Sequence, residues 1–124
     1  MRQSSISKIK RAQKESSLMR IISELFAQTA ADDSRLSGLF ITRVSLSSDK
    51  SVCAVFFYTH GGLEDFQEKL EVLKLYKPSL RKSIANHIPS RYTPELVFKF
   101  DTTFERSTRM EQLLDSLKTE EEQS

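Results

Sequence analysis

The apolar positions of this chain follow a helical period through about the first thirty residues, then alternate, and then repeat the exchange before a last helical stretch. Ile9, Leu18, Ile21, Ile22, Leu25 and Phe26 line one face of a first helix. Ser5 or Ser7 is placed to cap it, and "AADDSRLSG" ends it after Thr29. Two strands follow. "LFITRVSL" carries Leu39 and Ile41 on one face, then slips by one position to Val44 and Leu46, which predicts a bulge near Thr42-Arg43. "SVCAVFFY" is apolar on both faces, as a central strand would be, and the short "SSDK" between the two predicts a hairpin. Gly61-Gly62 supplies positive φ angles at the next break.

From Leu63 to Ile88 the helical period returns, with Val72, Leu73, Tyr76, Leu80, Ile84 and Ile88 on both sides of Pro78. A proline inside a helix removes one hydrogen bond and crowds the preceding turn, at about 3 kcal/mol. The residue before it is also disfavoured in the α region, so a break is expected at Lys77-Pro78. "ELVFKFD" alternates, with Leu96, Phe98 and Phe100 inward. A final helix over 104–118, capped by Thr102 or Thr103, has Met110, Leu113, Leu114 and Leu117 as its packing stripe. The order predicts an α+β sandwich whose third strand lies parallel beside the second, in the arrangement of a bacterial-type KH domain. Residues 1–118 are expected to form one domain, and 119–124 a disordered acidic tail.

Charge changes the picture through its distribution. The formal net charge is only +2. Yet residues 1–23 hold Arg2, Lys8, Lys10, Arg11, Lys14 and Arg20 against Glu15 alone, and 72–94 hold Lys74, Lys77, Arg81, Lys82 and Arg91 with no acid. A break at Pro78 would expose backbone amides where the helix restarts, with Ser79 beside them and cations around them. Such amides hold phosphate oxygens. The same face also fits a merely solvated surface with a proline bend that follows the sheet.

Catalytic and metal chemistry find little support. His60 and His87 are far apart, the one cysteine, Cys53, lies in an apolar run, and three glycines cannot build a nucleotide fingerprint. No enzyme, cofactor or metal is expected. No segment has the length of apolar sequence a membrane helix needs, and no secretory signal is expected, so the expected location is the cytoplasm.

"TPELVFKFDTTFERSTRMEQLLDSL" resembles the C-terminal signature of the ribosome-binding factor A family, through Pro94-Glu95-Leu96, Phe98, Asp101, Thr103, Glu105, Arg109-Met110 and Leu113-Leu114. The hairpin is similar to that family at Gly38, Thr42, Val44, Ser47, Asp49, Ser51 and Val55, and "DDSRLSG" resembles its entry to the first strand. The resemblance covers about residues 5–118. It implies a type II KH-like domain, α-β-β-α-(kink)-α-β-α, with a three-stranded mixed sheet covered by helices on one face. It implies a non-enzymatic, monomeric bacterial assembly factor that binds precursors of the small (30S) ribosomal subunit. It also implies contact with 16S rRNA near its 3′-terminal region, a part in late maturation and rRNA processing, and importance in cold adaptation. Other assembly factors are further candidate partners.

The family's kink, of Ala-x-Gly type, falls here on Tyr76-Lys77-Pro78, so this chain departs from the pattern at both ends of the motif. The usual later glycine is replaced around Ala85-Asn86. Tyr76 either stacks on a base or anchors the kink as a buried ring. The expected RNA-binding residues are Lys74, Lys77, Pro78, Ser79, Arg81, Lys82 and Arg91, with Lys8, Lys10, Arg11 and Lys14 as a second patch. The alternative is a KH-like protein-interaction module whose basic face meets an acidic protein.

Overall fold

In the computed structural model, which describes residues 5–88 and 93–123, the slip in alternation between Ile41 and Arg43 is a β-bulge. Strand β1 (Phe40–Leu46) pairs antiparallel with β2 (Val52–Tyr58), opposing Ile41 to Phe57 and then Arg43 to Phe56, so Thr42 is the extra residue. The hairpin turn is held by its own side chains. Asp49 Oδ1 accepts from Ser47 Oγ (2.8 Å), Ser51 Oγ (2.7 Å) and Ser51 N–H (3.1 Å). Those bonds favour the ionised carboxylate and hold its pKa at about 2. Lys50 takes the positive φ, 62°, that closes the turn.

Helix α1 (Ser5–Asp32) precedes the hairpin through a 3-10 turn at Ser34–Leu36. Helix α2 (Gly62–His87) crosses over to β3 (Glu95–Phe100), which pairs parallel with β2 from Val52–Glu95 to Phe57–Phe100. The sheet order is β1-β2-β3, so the apolar β2 is central, as its composition predicts. Leu18, Ile21, Ile22 and Phe26 of α1 share one core with Phe66, Leu73, Leu80 and Ile84 of α2 and with Cys53, Val55, Phe57 and Leu96 of the sheet. Cys53 is a buried core thiol whose pKa burial pushes up to about 11. The α+β, KH-like architecture is the expected one.

Four local expectations are corrected. First, α2 is not divided: it runs uninterrupted from Gly62 to His87 with Pro78 inside. Burying Leu73, Leu80 and Ile84 contributes about 1.5–3 kcal/mol each, which outweighs the roughly 3 kcal/mol cost of the proline. What Pro78 leaves behind is an acceptor, the Lys74 carbonyl, and not a set of free amides. Second, the two glycines at the start of α2 act differently from each other. Gly62 has φ 79°, whereas Gly61 is αR and is needed for space, because a Cβ there would lie 2.5 Å from Asp65 Cβ.

Third, Asp101 and neither threonine caps the last helix, α3 (Thr102–Gln123): its Oδ1 accepts from Phe104 N–H at 3.0 Å. The helix continues beyond Lys118, over residues expected to be a tail. Fourth, apolar positions with helical spacing face solvent in two of the helices. Ile9 is 56% exposed at the start of α1, and Met110, Leu113, Leu114 and Leu117 of α3 are 49–58% exposed. The first turn of α3 touches the body, where the Phe104 ring meets Tyr58 (4.8 Å) and Phe40 (5.6 Å).

Candidate nucleic-acid interface

Helical spacing puts Lys74, Lys77 and Arg81 along one side of α2, and the parallel crossover brings Glu95, the first residue of β3, against them. Glu95 Oε1 lies 3.3 Å from Lys77 Nζ, and its Oε2 lies 3.6 Å from Arg81 Nη1. Lys77 also stands over the Phe98 ring at 5.8 Å. Lys74 meets Glu71 at 3.2 Å, with both side chains well exposed. Exposed pairs of this kind contribute about 0–1 kcal/mol, so a phosphate can replace the carboxylate at small cost. Lys82 is exposed and has no ion pair among the described residues. Pro78 and Ser79 are exposed mid-helix, and no amide cluster stands beside them. Arg91 lies outside the described residues.

Tyr76 takes the anchoring role. Its hydroxyl donates to Asp33 Oδ2 at 2.6 Å, while Asp33 accepts from Arg35 through Nε (2.9 Å), Nη2 (2.7 Å) and the backbone N–H (3.1 Å). Hydrogen bonds from Arg35 first, and then Tyr76, hold the Asp33 carboxyl well below the usual carboxylate range; Asp33 in turn pushes the Tyr76 hydroxyl up. The clamp ties α2 to the segment between α1 and β1. A ring held this way is not free to stack on a base.

The second patch has a different neighbour. Lys10 and Lys14 lie on the same stripe of α1 as Gln13 and Ser17, and that stripe runs on to Arg20. Together with His87 and Ile88 at the end of α2 these residues line a groove of about 370 Å³. Lys8, near the start of α1, is exposed, and Arg11 is half-buried. Of the predicted cations, Lys77 and Arg81 therefore meet β3, while Lys10 and Lys14 line the α1–α2 groove. Arg20, His87 and the counter-charge Glu95 were not among the expected site residues. The spacing of Lys10, Lys14, Ser17 and Arg20 is visible in the sequence, but only tertiary packing brings His87 and Glu95 to their places.

On the opposite side of the sheet, Asp101 joins three elements. Thr42 Oγ1 donates to its Oδ2 at 2.6 Å, Arg43 Nε does so at 3.1 Å, and the Arg43 guanidinium lies 3.8 Å above the Phe56 ring. Burial alone would raise the Asp101 pKa, but the bonds from Thr42, Phe104 N–H and Arg43 more than offset it and lower the pKa. The bulge at Thr42 and the cap of α3 thus share one carboxylate. Among the described residues no cluster of His, Cys, Asp or Glu could hold a metal ion, and no helix is long and apolar enough to cross a membrane.

Comparison with known proteins gives a consistent result. A ribosome-binding factor A from Pseudothermotoga lettingae is 34% identical over 116 residues, spanning 92% of this chain and 96% of that relative. The crystal structure of ribosome-binding factor A from Thermus thermophilus superposes with a TM-score of 0.62 at 29% identity, covering 73% of this chain and 93% of the other. A homology model of the Thermus thermophilus factor, fitted into a cryo-EM map of a 30S complex, gives 0.54 at 29% identity over 68% of this chain and 87% of its own. The family model for ribosome-binding factor A matches residues 10–114, a span that begins at the groove cation Lys10, includes the Thr42–Asp101 clamp and ends on the exposed stripe of α3. By sequence and by fold, the chain belongs to the ribosome-binding factor A family.

Proposed function

We propose that this protein is a non-enzymatic assembly factor that binds precursors of the small ribosomal subunit. In this reading it acts in the cytoplasm as a monomer, contacts 16S rRNA near its 3′-terminal region, and favours late maturation and RNA processing, above all in the cold. The observation that carries the reading is a family match over 10–114 in a chain whose cations gather on two surfaces. The Thermus thermophilus relative fitted into a 30S complex supports the partner. Lys77 and Arg81 would exchange Glu95 for phosphates, and Lys8, Lys10, Arg11 and Lys14 would supply the second contact. Cosedimentation with small-subunit particles tests this, using wild type and a Lys77→Ala/Arg81→Ala double variant. Weaker sedimentation of the folded variant is expected, and unchanged sedimentation removes this surface from the interface.

The exposed stripe Met110, Leu113, Leu114 and Leu117 favours a second reading, a module that meets a protein partner. Treating the complex with RNase separates the two, because a contact made by protein survives it.

A further inference from the structure

We infer that the groove between α1 and the C-terminal end of α2 holds a single strand of RNA by its backbone, with cations on the phosphates and His87 on a ribose 2′-hydroxyl. The inference rests on the ribosomal RNA reading above and adds a site and a chemical selectivity to it. Lys10, Lys14 and Arg20 give the groove three cations, and Gln13 and Ser17 add side chains that both donate and accept. The groove, of about 370 Å³, is open to solvent along the α1–α2 seam, as an extended strand requires.

His87 gives the groove its selectivity. Its Nδ1 lies 2.7 Å from the Ser83 carbonyl oxygen. A carbonyl can only accept, so Nδ1 donates to it, and in the tautomer that this bond selects Nε2 is the acceptor. That nitrogen has no partner among the described residues. Among three cations, an acceptor is the wrong group for a phosphate oxygen, which is itself an acceptor. It is the right group for a hydroxyl. The nucleic-acid backbone offers one donor, the ribose 2′-OH, and DNA lacks it. Cations at the phosphates and a lone pair at the sugar therefore match a ribose-phosphate strand.

The test uses the full chain with a fluorescent single-stranded RNA and the DNA of the same sequence, titrated at several salt concentrations. Wild type should bind RNA more tightly. His87→Ala should lower RNA affinity about three- to tenfold and leave DNA affinity unchanged. His87→Gln, which keeps an acceptor, should retain part of the preference. Lys10→Ala with Arg20→Ala should weaken both strands and reduce the salt slope by about 1.4, or 0.7 for each single-strand phosphate that is no longer neutralised. Equal wild-type binding to RNA and DNA, an equal loss for both strands in His87→Ala, or an unchanged salt slope in the double variant overturns the inference. If wild type and these variants sediment equally well with small-subunit particles, the groove assignment fails and the assembly-factor reading stands. If wild type does not sediment at all, that reading fails, and the RNA-to-DNA preference still decides the groove.

Discussion

Single carboxylates hold this molecule together at its joints. Asp49 closes the hairpin turn, Asp33 clamps Tyr76 and Arg35, and Asp101 unites the bulge with the cap of α3. All three pKa values are depressed, so each contributes stability that is present above the unfolded carboxylate pKa and lost as pH falls through the folded value. For Asp49 the window lies between 3.8 and about 2. Urea denaturation of wild type and Asp49→Asn should show wild type more stable at pH 7, with the gap closing as pH falls through that window. A gap constant down to pH 2 would mean that the Asp49 bonds do not favour its charged form. These residues also show what sequence conveys at this scale. "SSDK" announces a turn by composition, whereas the Thr42–Asp101 bond joins residues 59 apart and needs the folded sheet.

Elements were legible wherever a local period had a local cause. The hairpin, its bulge, the parallel third strand and the extent of α2 all follow from alternation, helical spacing and glycine placement. Pro78 was misleading because the rule for proline is local, while the burial of Leu73, Leu80 and Ile84 that keeps α2 whole is tertiary. Pro78→Ala restores an N–H for the Lys74 carbonyl and gives up about 0.4–1 kcal/mol of unfolded-chain restriction. The variant should therefore be more stable by about 2 kcal/mol, measured by urea denaturation. A loss of stability would show that the proline's shape, and not burial alone, holds the helix. The stripe on α3 has the spacing of a packing face, but spacing cannot say what lies opposite. Leu113→Ser together with Leu114→Ser should change stability by no more than about 1 kcal/mol in total, whereas Leu73→Ala should cost about 2–5 kcal/mol. A cost for the α3 pair comparable with that of Leu73→Ala would place the stripe in a core.

Across the whole molecule, the cations could be found from acid-poor runs, but their balance could not. Glu95 stands in the signature strand, and only the parallel crossover sets its charge between Lys77 and Arg81. Removing it should strengthen anion binding at that surface: Glu95→Gln is expected to bind small-subunit particles more tightly than wild type, with the largest gain at low salt. Weaker binding of a folded Glu95→Gln would mean that the pairs position the lysine and arginine for their contacts.

The central claim, recognition of the small subunit's RNA through two cationic surfaces, is tested most directly by the salt dependence of binding to small-subunit precursor particles, followed by RNase treatment. The expected result is an affinity that falls linearly with the logarithm of salt concentration, a slope that shrinks when Lys77 and Arg81 are replaced by Ala, and release of the protein by RNase. A slope near zero, or protein that stays bound after the RNA is digested, would contradict it.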